Sequence, residues 1–281
     1  MLANAPAATR ALAAASSHLA ARPTVAARIL GRVGYAEGID TQLRFVGDVL
    51  AGRNTVVLPP QPAAAPSSLG EPASSSKLAN QNNTKLTSGA VTANGGDLLL
   101  LEHNPVYTLG RRMQHDADQA ARLAALGAEY VYTSRGGQIT FHGPGQLVGY
   151  PILNLAAFSH RVSVKDYVRR LEVVLMRTCA DFGVKTELTA DTGVWVGKNK
   201  IAALGIQLHE RRVTSHGFAL NCQTDLRWFS HIVPCGLVGK SVTSLSREVQ
   251  REVSTEETLP ILLKHFGDVF ECDVQRVLGA Y

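Results

Sequence analysis

The segment Arg135–Tyr150, RGGQITFHGPGQLVGY, places the strongest constraint on what this chain can fold into. It clusters glycines around a histidine, begins with an arginine and runs into the apolar stretch PILNL. Glycine weakens helix and strand interiors, so clustered glycines mark a backbone that turns sharply or lies close to a ligand. We predict that this segment, the glycine-rich loop, binds a ligand. From this stretch alone, a glycine-rich surface turn with a chance histidine is the alternative.

Composition is that of an ordinary globular protein. The chain has 281 residues, 45% of them hydrophobic and 18% charged, which suffices for one large domain or two small ones. No apolar run is long enough to span a membrane. Arg10, Arg22, Arg28 and Arg32 precede every acidic residue and account for four of the +5 net charge. Because no cluster of basic and aromatic residues follows, we expect no nucleic-acid partner and no membrane partner.

The cysteines favour a reduced compartment with free thiols. Cys179, Cys222, Cys235 and Cys272 show neither CxxC spacing nor a paired arrangement. We therefore expect no disulfide framework, no metal site and no cofactor.

Residues 1–29 have the composition of a targeting segment. They are rich in Ala, Ser and Arg, contain no acid and can form a weakly amphipathic helix. This is typical of a mitochondrial transit peptide, and a disordered alanine-rich tail is the alternative. We predict a transit peptide over residues 1–29 and a location in the mitochondrial matrix.

A second break in composition covers residues 58–96. This stretch is rich in Pro, Ala, Ser and Asn and has few aromatic or β-branched residues. It offers too little apolar surface to offset the entropy of ordering. We predict a disordered low-complexity insertion inside a single domain of residues 30–275, because the piece before it is too short to fold alone.

The remaining chain has the periodicity of mixed helices and strands. The stretch DLLLLEHNPVYTLG predicts a buried strand followed by a loop. Strand pairs without regular βαβ alternation indicate an antiparallel or mixed sheet flanked by helices. We predict helices over residues 35–50, 116–126 and 163–182 and from Ser254 onward, and strands over residues 129–133, 193–196, 201–208 and 216–221.

Cys235 and Lys200 have settings that suit covalent chemistry. Cys235 lies in IVPCGLVGKS, where proline and glycine force a turn that would expose the thiol. Lys200 lies in VGKNKIAALGI, at the start of a strand of small apolar residues that can partly desolvate its amine. A thiol becomes a good nucleophile only beside a cation or base. The alternatives are an unreactive thiol and an exposed turn lysine, while Cys179, inside a predicted helix, is predicted to be structural.

Three blocks of the sequence resemble, in order, the signature blocks of the lipoyl(octanoyl) transferase family. They are RGGQITFHGPGQLVGYPILNL, GVWVGKNKIAALGIQL and TSHGFALNCQTDLRWFSHIVPCGL. The resemblance extends at lower density from about residue 30 to residue 270, interrupted by the predicted insertion. It implies the α+β fold of the biotinyl/lipoyl protein ligases, with a mixed, mainly antiparallel sheet and flanking helices.

The resemblance also implies a reaction. Octanoyl groups arrive on acyl carrier protein, and the cysteine matching Cys235 takes them as a thioester. The lysine matching Lys200 favours the thiolate and handles protons. A lysine of a lipoyl domain, such as glycine cleavage H protein or a 2-oxoacid dehydrogenase E2 subunit, then accepts the group. The enzyme implied is an acyltransferase that needs no ATP, and we expect a monomer.

Three segments are assigned to substrate binding by the same resemblance. Small side chains in the second segment would leave a slot for an eight-carbon chain, in which each buried methylene contributes roughly 0.8 kcal/mol. Backbone N–H groups of the glycine-rich loop would hold the thioester oxygen as it becomes an oxyanion. The two histidines would orient substrate or support the lysine, with core packing as an alternative for His216. The residues are Arg135, Gly136, Gly137, Gln138, Ile139, Thr140, Phe141 and His142, then Ala202, Ala203 and Leu204, then His216, Gly217 and Phe218.

Three other functions remain open from the sequence. An ATP-dependent lipoate–protein ligase of the same fold would activate its substrate as an adenylate and would not need Cys235. A lipoyl amidotransferase would take octanoyl from a protein that already carries it. A non-catalytic module that binds lipoyl domains would tolerate the change Cys235→Ala.

Overall fold

The structure, a computed structural model, describes residues 22–53, 55–57, 90–92, 94–114, 116–158, 162–233 and 239–277. The strands are β1 (Thr24–Val33), β2 (Thr55–Val57), β3 (Ala90–Thr92), β4 (Gly96–His103), β5 (Val106–Leu109), β6 (Glu129–Tyr132), β7 (Thr140–His142), β8 (Gln146–Leu153), β9 (Val194–Val196), β10 (Asn199–His209), β11 (Val213–Asn221), β12 (Ser241–Val242) and β13 (Asp273–Val277). The helices are α1 (Tyr35–Leu50), α2 (Ala117–Ala124), α3 (Val164–Asp181), α4 (Leu245–Val249) and α5 (Thr255–Phe270), with short 3-10 helices at Leu155–Ala157 and Leu226–His231.

One mixed sheet forms the centre of the molecule. Its strand order is β12-β10-β11-β8-β4-β1-β13, and β9 also pairs with β10. The β9–β10, β10–β11, β11–β8 and β8–β4 pairs are antiparallel, whereas β12–β10, β4–β1 and β1–β13 are parallel. A smaller sheet has the order β6-β5-β7, and β2 pairs with β3. The predicted α+β fold, a mixed sheet with flanking helices, is confirmed.

Helices cover both faces of the large sheet. On one face, α3 and α5 enclose the main core, in which Tyr167, Leu171 and Val174 are fully buried. On the other face, α1 packs over β4, β8 and β11. A third cluster joins the small sheet to the 3-10 helix Leu226–His231. Among the described helices, none is long and apolar enough to cross a membrane.

Local sequence signals account for the helix ends. The Ser163 hydroxyl accepts the Asp166 N–H at 3.1 Å and completes a capping box at the start of α3. The Asp116 carboxylate accepts the Gln119 N–H at 2.9 Å and caps α2. Such caps stabilise a helix by about 1 kcal/mol each, because they pair N–H groups that the helix leaves without partners.

The folded domain begins earlier than predicted. β1 starts at Thr24 and lies between β4 and β13, and Val25 in it is fully buried. Arg22 donates from Nη2 to the carbonyl oxygens of Gly267 and Cys272, each at 2.9 Å. A transit peptide ending at residue 29 would contain most of a central strand, so that boundary is wrong. Residues 1–21 lie outside the described residues, and a transit peptide there stays a prediction.

The insertion is also narrower than residues 58–96. β3 pairs with β2, and Gly96 is the first residue of β4. The Gly95 N–H donates to the Thr24 carbonyl at 2.9 Å, and the Thr24 N–H donates to Asn94 Oδ1 at 2.8 Å. Residues 94–96 therefore belong to the folded domain, which continues at its other end to Val277 rather than residue 275. Residues 58–89 lie outside the described residues.

Candidate active site

The glycine-rich loop is held in place by its own arginine. Arg135 is buried, and its guanidinium donates to the carbonyl oxygens of Thr108 at 2.6 Å, Gly136 at 2.9 Å and Gln138 at 2.9 Å. Hydrogen bonds to carbonyl oxygens of β5 and of the loop itself thus replace those that this buried cation would make with water. Arg135 ties the loop to β5 and shapes it.

The backbone of this loop makes the close approaches that its glycines predict. Gly137 has a φ of +90°, in the left-handed region that favours glycine. A Cβ at Gly110 would lie 2.3 Å from the Gly137 oxygen. The Gly136 N–H donates to the Ile206 carbonyl of β10 at 3.2 Å. The segment turns sharply at Gly137 and lies directly against β10, and ligand binding by it stays a prediction.

A cavity with about 490 Å³ of empty space, open solvent included, lies between the loop, β8, β10, β11 and α1. Of the predicted residues, the wall contains Arg135, Gly137, Gln138, Thr140, His142, Ala203, Leu204, His216, Gly217 and Phe218. It also contains five residues outside the predicted substrate-binding set: Tyr35, Val148, Tyr150, Gly205 and Ala219. Tyr35 is the first residue of the helix predicted over residues 35–50.

Four of the predicted substrate-binding residues do not line this cavity: Gly136, Ile139, Phe141 and Ala202. Phe141 and Ile139 are buried in the cluster of the small sheet, and Ala202 is buried in the main core. Phe141 lies between Thr140 and His142 on β7, and adjacent side chains of a strand point to opposite faces. The same alternation separates Ala202 from its neighbour Ala203 on β10. The first two predicted segments are therefore divided between the cavity wall and the core.

Three histidines around the cavity are uncharged at neutral pH. Burial lowers the pKa of His142 to about 3, with the charges of His103 and Arg135 adding to the effect. Burial also lowers the pKa of His103 and of His216 to about 4 each, and Arg135 contributes at His216. These groups therefore act as neutral donors and acceptors. Within the described ranges, no group of three or more His, Cys, Asp or Glu residues could hold a metal ion.

A buried chain of amides fixes the tautomer of His142. Asn221 donates from Nδ2 to the Thr243 carbonyl at 2.9 Å, which leaves its Oδ1 to accept Gln146 Nε2–H, also at 2.9 Å. Because the Gln146 amide nitrogen donates, its Oε1 accepts the Nδ1–H of His142 at 2.7 Å. His142 therefore carries its proton on Nδ1, and its Nε2 is an acceptor.

His216 combines a cavity position with unusual backbone geometry. Its φ is +54° in the middle of β11, a conformation that costs free energy in a residue other than glycine. The side-chain Oε1 of Gln42 on α1 accepts the His216 N–H at 3.1 Å. The contact with α1 holds this residue against the cavity.

Lys200 lies in a second cavity that adjoins the first. It is 7% exposed, and its ammonium donates to the Thr192 carbonyl at 3.1 Å and lies 4.8 Å from the centre of the Trp195 ring. Lys198, by contrast, is exposed. The second cavity has about 880 Å³ of empty space, open solvent included, and also contains the predicted residue Gly136. Both cavities are lined by Gly137, Gln138, Leu204 and Gly205.

Three of the four thiols are removed from solvent. Cys179, Cys222 and Cys272 are buried, and burial raises the pKa of each thiol to about 12. At neutral pH none of the three presents a thiolate. Cys235 belongs to residues 234–238, which lie outside the described residues.

The residues on either side of that segment are well anchored. On one side, Trp228 stacks on Phe141 at 5.1 Å, and its carbonyl accepts the Tyr107 hydroxyl at 2.7 Å. On the other side, β12 pairs with the start of β10, with Ser241 beside Asn199 and Val242 beside Lys200. The two anchors are the small sheet that carries the glycine-rich loop and the strand that carries Lys200.

Comparison with known proteins gives matches over most of the chain. Residues 80–267 match the family described as lipoyl protein ligase A/B catalytic domain. The chain is 44% identical over 247 residues to the mitochondrial octanoyl-acyl-carrier-protein:protein N-octanoyltransferase of Xenopus tropicalis, a match covering 88% of this chain and 87% of that protein. It is 55% identical over 176 residues to the protein of the same description from Danio rerio, covering 62% and 77%. The fold is similar to a solved bi-partite lipoate protein ligase from Thermoplasma acidophilum, with a TM-score of 0.58, 14% identity and coverage of 91% and 88%.

Proposed function

The chain belongs to the octanoyltransferases built on the lipoyl protein ligase A/B catalytic domain, and we propose that it acts through a thioester on Cys235 without ATP. It is an acyltransferase that transfers octanoyl groups to protein. The proposed donor is octanoyl-acyl carrier protein, and the proposed acceptor is a lysine of a lipoyl domain. We place the reaction in the mitochondrial matrix, because these relatives are named as mitochondrial.

The pairing of β12 with the start of β10 carries this proposal. Cys235 precedes Ser241 by six residues, and Ser241 lies beside Asn199, next to Lys200. Six residues span at most about 20 Å, so this tether supports the proposal that the thiol acts at the Lys200 cavity. The other three thiols are buried and protonated, which supports Cys235 as the nucleophile.

Lys200 is proposed to favour the thiolate of Cys235. An ammonium group in a confined site stabilises a nearby anion more than it would in water, because little solvent screens the charge. Lys200 meets that condition, since it is buried on β10 and faces a cavity.

The proposed transfer has two steps. The Cys235 thiolate attacks the carbonyl carbon of the donor thioester, a new C–S bond forms, and the carrier thiolate leaves and takes a proton. The acceptor amine then attacks the same carbon, a C–N bond forms, the bond to Cys235 breaks, and the amine releases its proton. The first step exchanges one thioester for another, and the second gives a more stable amide. Neither step requires ATP.

The first cavity is proposed to hold the octanoyl chain. Its apolar wall of Val148, Leu204, Phe218 and Ala219 would surround the methylenes, each contributing roughly 0.8 kcal/mol on burial. Four residues line both cavities, which supports a slot that adjoins the Lys200 cavity and from which the chain would present its carbonyl end towards the lysine. N–H groups of the glycine-rich loop at this junction are candidates to hold the oxyanion.

Octanoyl transfer from acyl carrier protein to a lipoyl domain, without ATP, tests the proposal. Wild type is expected to form an acyl adduct that hydroxylamine removes and that peptide mapping locates on Cys235. Cys235→Ala is expected to lose the adduct and nearly all transfer, because no other thiol can form the thioester. Intact mass of enzyme and acceptor gives both readouts.

Other outcomes would identify a different function. A requirement for ATP would favour a ligase, and transfer only from an already octanoylated protein would favour an amidotransferase. Full activity of Cys235→Ala, or an adduct on Cys179 or Cys222, would contradict the nucleophile assignment. The alkylation rate of each thiol in the native protein provides a control, since the three buried thiols are expected to react only on unfolding.

A further inference from the structure

Two lysine side chains contact the same tryptophan beside the Lys200 cavity. Lys200 Nζ lies 4.8 Å from the centre of the Trp195 ring, and Lys240 Nζ lies 4.5 Å from it. Trp195 is 1% exposed, so its ring is fixed by packing. Cation–π contacts with a desolvated ring are among the stronger of their kind. The ring therefore acts as a common support for both ammonium groups.

Asp191 connects Lys240 to the partners of Lys200. Its carboxylate forms an ion pair with Lys240, and its carbonyl accepts the Trp195 indole N–H at 3.0 Å. The next residue, Thr192, supplies the carbonyl that accepts the Lys200 ammonium. One short bend thus carries contacts to both lysines, and Asp191, Thr192 and Lys200 line the same cavity.

We propose that Lys240 is a positioning residue for Lys200, acting by holding the Asp191 carboxylate and with it the bend that receives the Lys200 ammonium. This inference rests on the proposed function, in which Lys200 supports the thiolate. Lys240 is suited to the task because it immediately precedes β12, which pairs with β10 at Asn199 and Lys200. Asp191 in turn is bound through its carbonyl to Trp195 on β9, which also pairs with β10. Both ends of the Lys240–Asp191 contact are therefore held beside Lys200.

Lys240 would also support Lys200 through its charge, by compensating the Asp191 carboxylate. Asp191 is a carboxylate at the wall of the cavity that contains Lys200. With Lys240 in place, the charge of this carboxylate is compensated by a cation outside the reaction. If Lys240 were neutral, the Asp191 carboxylate would compete with the Cys235 thiolate for the Lys200 ammonium. The loss of Lys240 is therefore expected to be relieved when the Asp191 charge is also removed.

Steady-state octanoyl transfer by the full chain tests the inference with four variants. Lys240→Met is expected to lower kcat about tenfold with KM changed less than about twofold, because positioning of the reacting group is lost and binding is not. Lys240→Arg keeps the charge and is expected to restore most of the rate. The double variant Asp191→Asn/Lys240→Met is expected to be at least about threefold faster than Lys240→Met. Lys198→Met, which removes an exposed lysine from the neighbouring turn, is the matched control.

Three results would overturn the inference: a kcat for Lys240→Met within about twofold of wild type, no rescue by arginine, or a double variant no faster than the single one. Thermal unfolding midpoints, measured for every variant, separate a lost fold from a lost rate, and the alkylation rate of Cys235 reports the thiol directly. If the acyl adduct forms on Cys235 in wild type while the Lys240 variants have the kcat of wild type, only the Lys240 inference fails. If wild type forms no such adduct, the proposed function fails instead.

Discussion

At the scale of single residues, buried polar side chains with defined partners shape the site. Arg135 appears in the sequence as a candidate to bind substrate, yet its guanidinium donates to carbonyls of its own loop and of β5. Gln146 appears in the sequence only as the end of HGPGQ, yet it sets which nitrogen of His142 carries the proton. In both cases the residue type suggested a polar role, and only the partners define it.

The change Gln146→Glu tests the amide chain. A carboxylate can accept the His142 Nδ1–H but cannot donate to Asn221 Oδ1 or to the Phe141 carbonyl, and the added negative charge would raise the pKa of His142. We expect stability to fall by about 1–3 kcal/mol, because two buried acceptors lose their donor. We expect nitrogen NMR of labelled histidine to show His142 protonating at higher pH than in wild type.

The exposed residue Gln250 offers the matched control for that experiment. Gln250→Glu adds the same charge at an exposed position outside the amide chain and is expected to leave the His142 signals unchanged. In wild type, a tautomer with the proton on Nε2 of His142 would contradict the assigned chain of hydrogen bonds.

At the scale of secondary-structure elements, the positions of strands depend on pairing with neighbouring strands, whereas the positions of helices follow from local sequence. The helices α1, α2, α3 and α5 follow the predicted ranges closely, because periodicity and caps such as Ser163 are local. By contrast, β5 lies where a loop was predicted. Its four residues are strand because they pair with β6 on one side and β7 on the other. The first residues of β1 were assigned to the transit peptide, since they resemble the alanine-rich segment before them.

Truncation tests the corrected start of the domain. A chain that begins at residue 22 retains all of β1 and the Arg22 contacts, and we expect it to keep the unfolding midpoint and the transfer activity. A chain that begins at residue 30 lacks most of the strand between β4 and β13, including the buried Val25 and Ala27. Losing a strand that pairs on both sides costs more free energy than the about 5–15 kcal/mol by which folded proteins are typically stable. We therefore expect no cooperative unfolding transition by circular dichroism. A folded, active chain from residue 30 would contradict the placement of β1.

At the scale of the whole molecule, the cavity walls come from distant parts of the sequence. Tyr35 on α1, the glycine-rich loop, β10 and β11 meet around three uncharged histidines. Burying histidines in their neutral form links global stability to pH, because the unfolded chain exposes them to water and protonates them at about pH 6.5.

We expect the free energy of unfolding to fall as the pH is lowered from 7 to 5. The folded-state pKa values of His103, His142 and His216 lie at about 4, 3 and 4, below the unfolded value. In this window the unfolded chain binds more protons, so each histidine contributes a loss on the order of 1–2 kcal/mol by pH 5. Urea unfolding at several pH values measures the slope.

Two variants test whether a buried histidine contributes to the pH dependence of the unfolding free energy. His142→Gln is expected to make the stability less dependent on pH between 5 and 7, while His231→Gln, at an exposed position, is expected to leave the slope unchanged. Equal slopes in all three proteins would show that His142 does not contribute to the pH dependence.

The sequence by itself determined the fold class, the helices and the residues that could carry chemistry, because periodicity, caps, glycine clusters and the signature blocks are local patterns. It also made Lys200 a candidate to support a reactive thiol. Tertiary structure decided which side of each strand faces the cavity, so that Ala203 lines it while Ala202 and Phe141 belong to the core. It also decided that Tyr35, Trp195 and Lys240 lie beside this site. These contacts join residues far apart in sequence, and they depend on strand pairing and burial that no local pattern specifies.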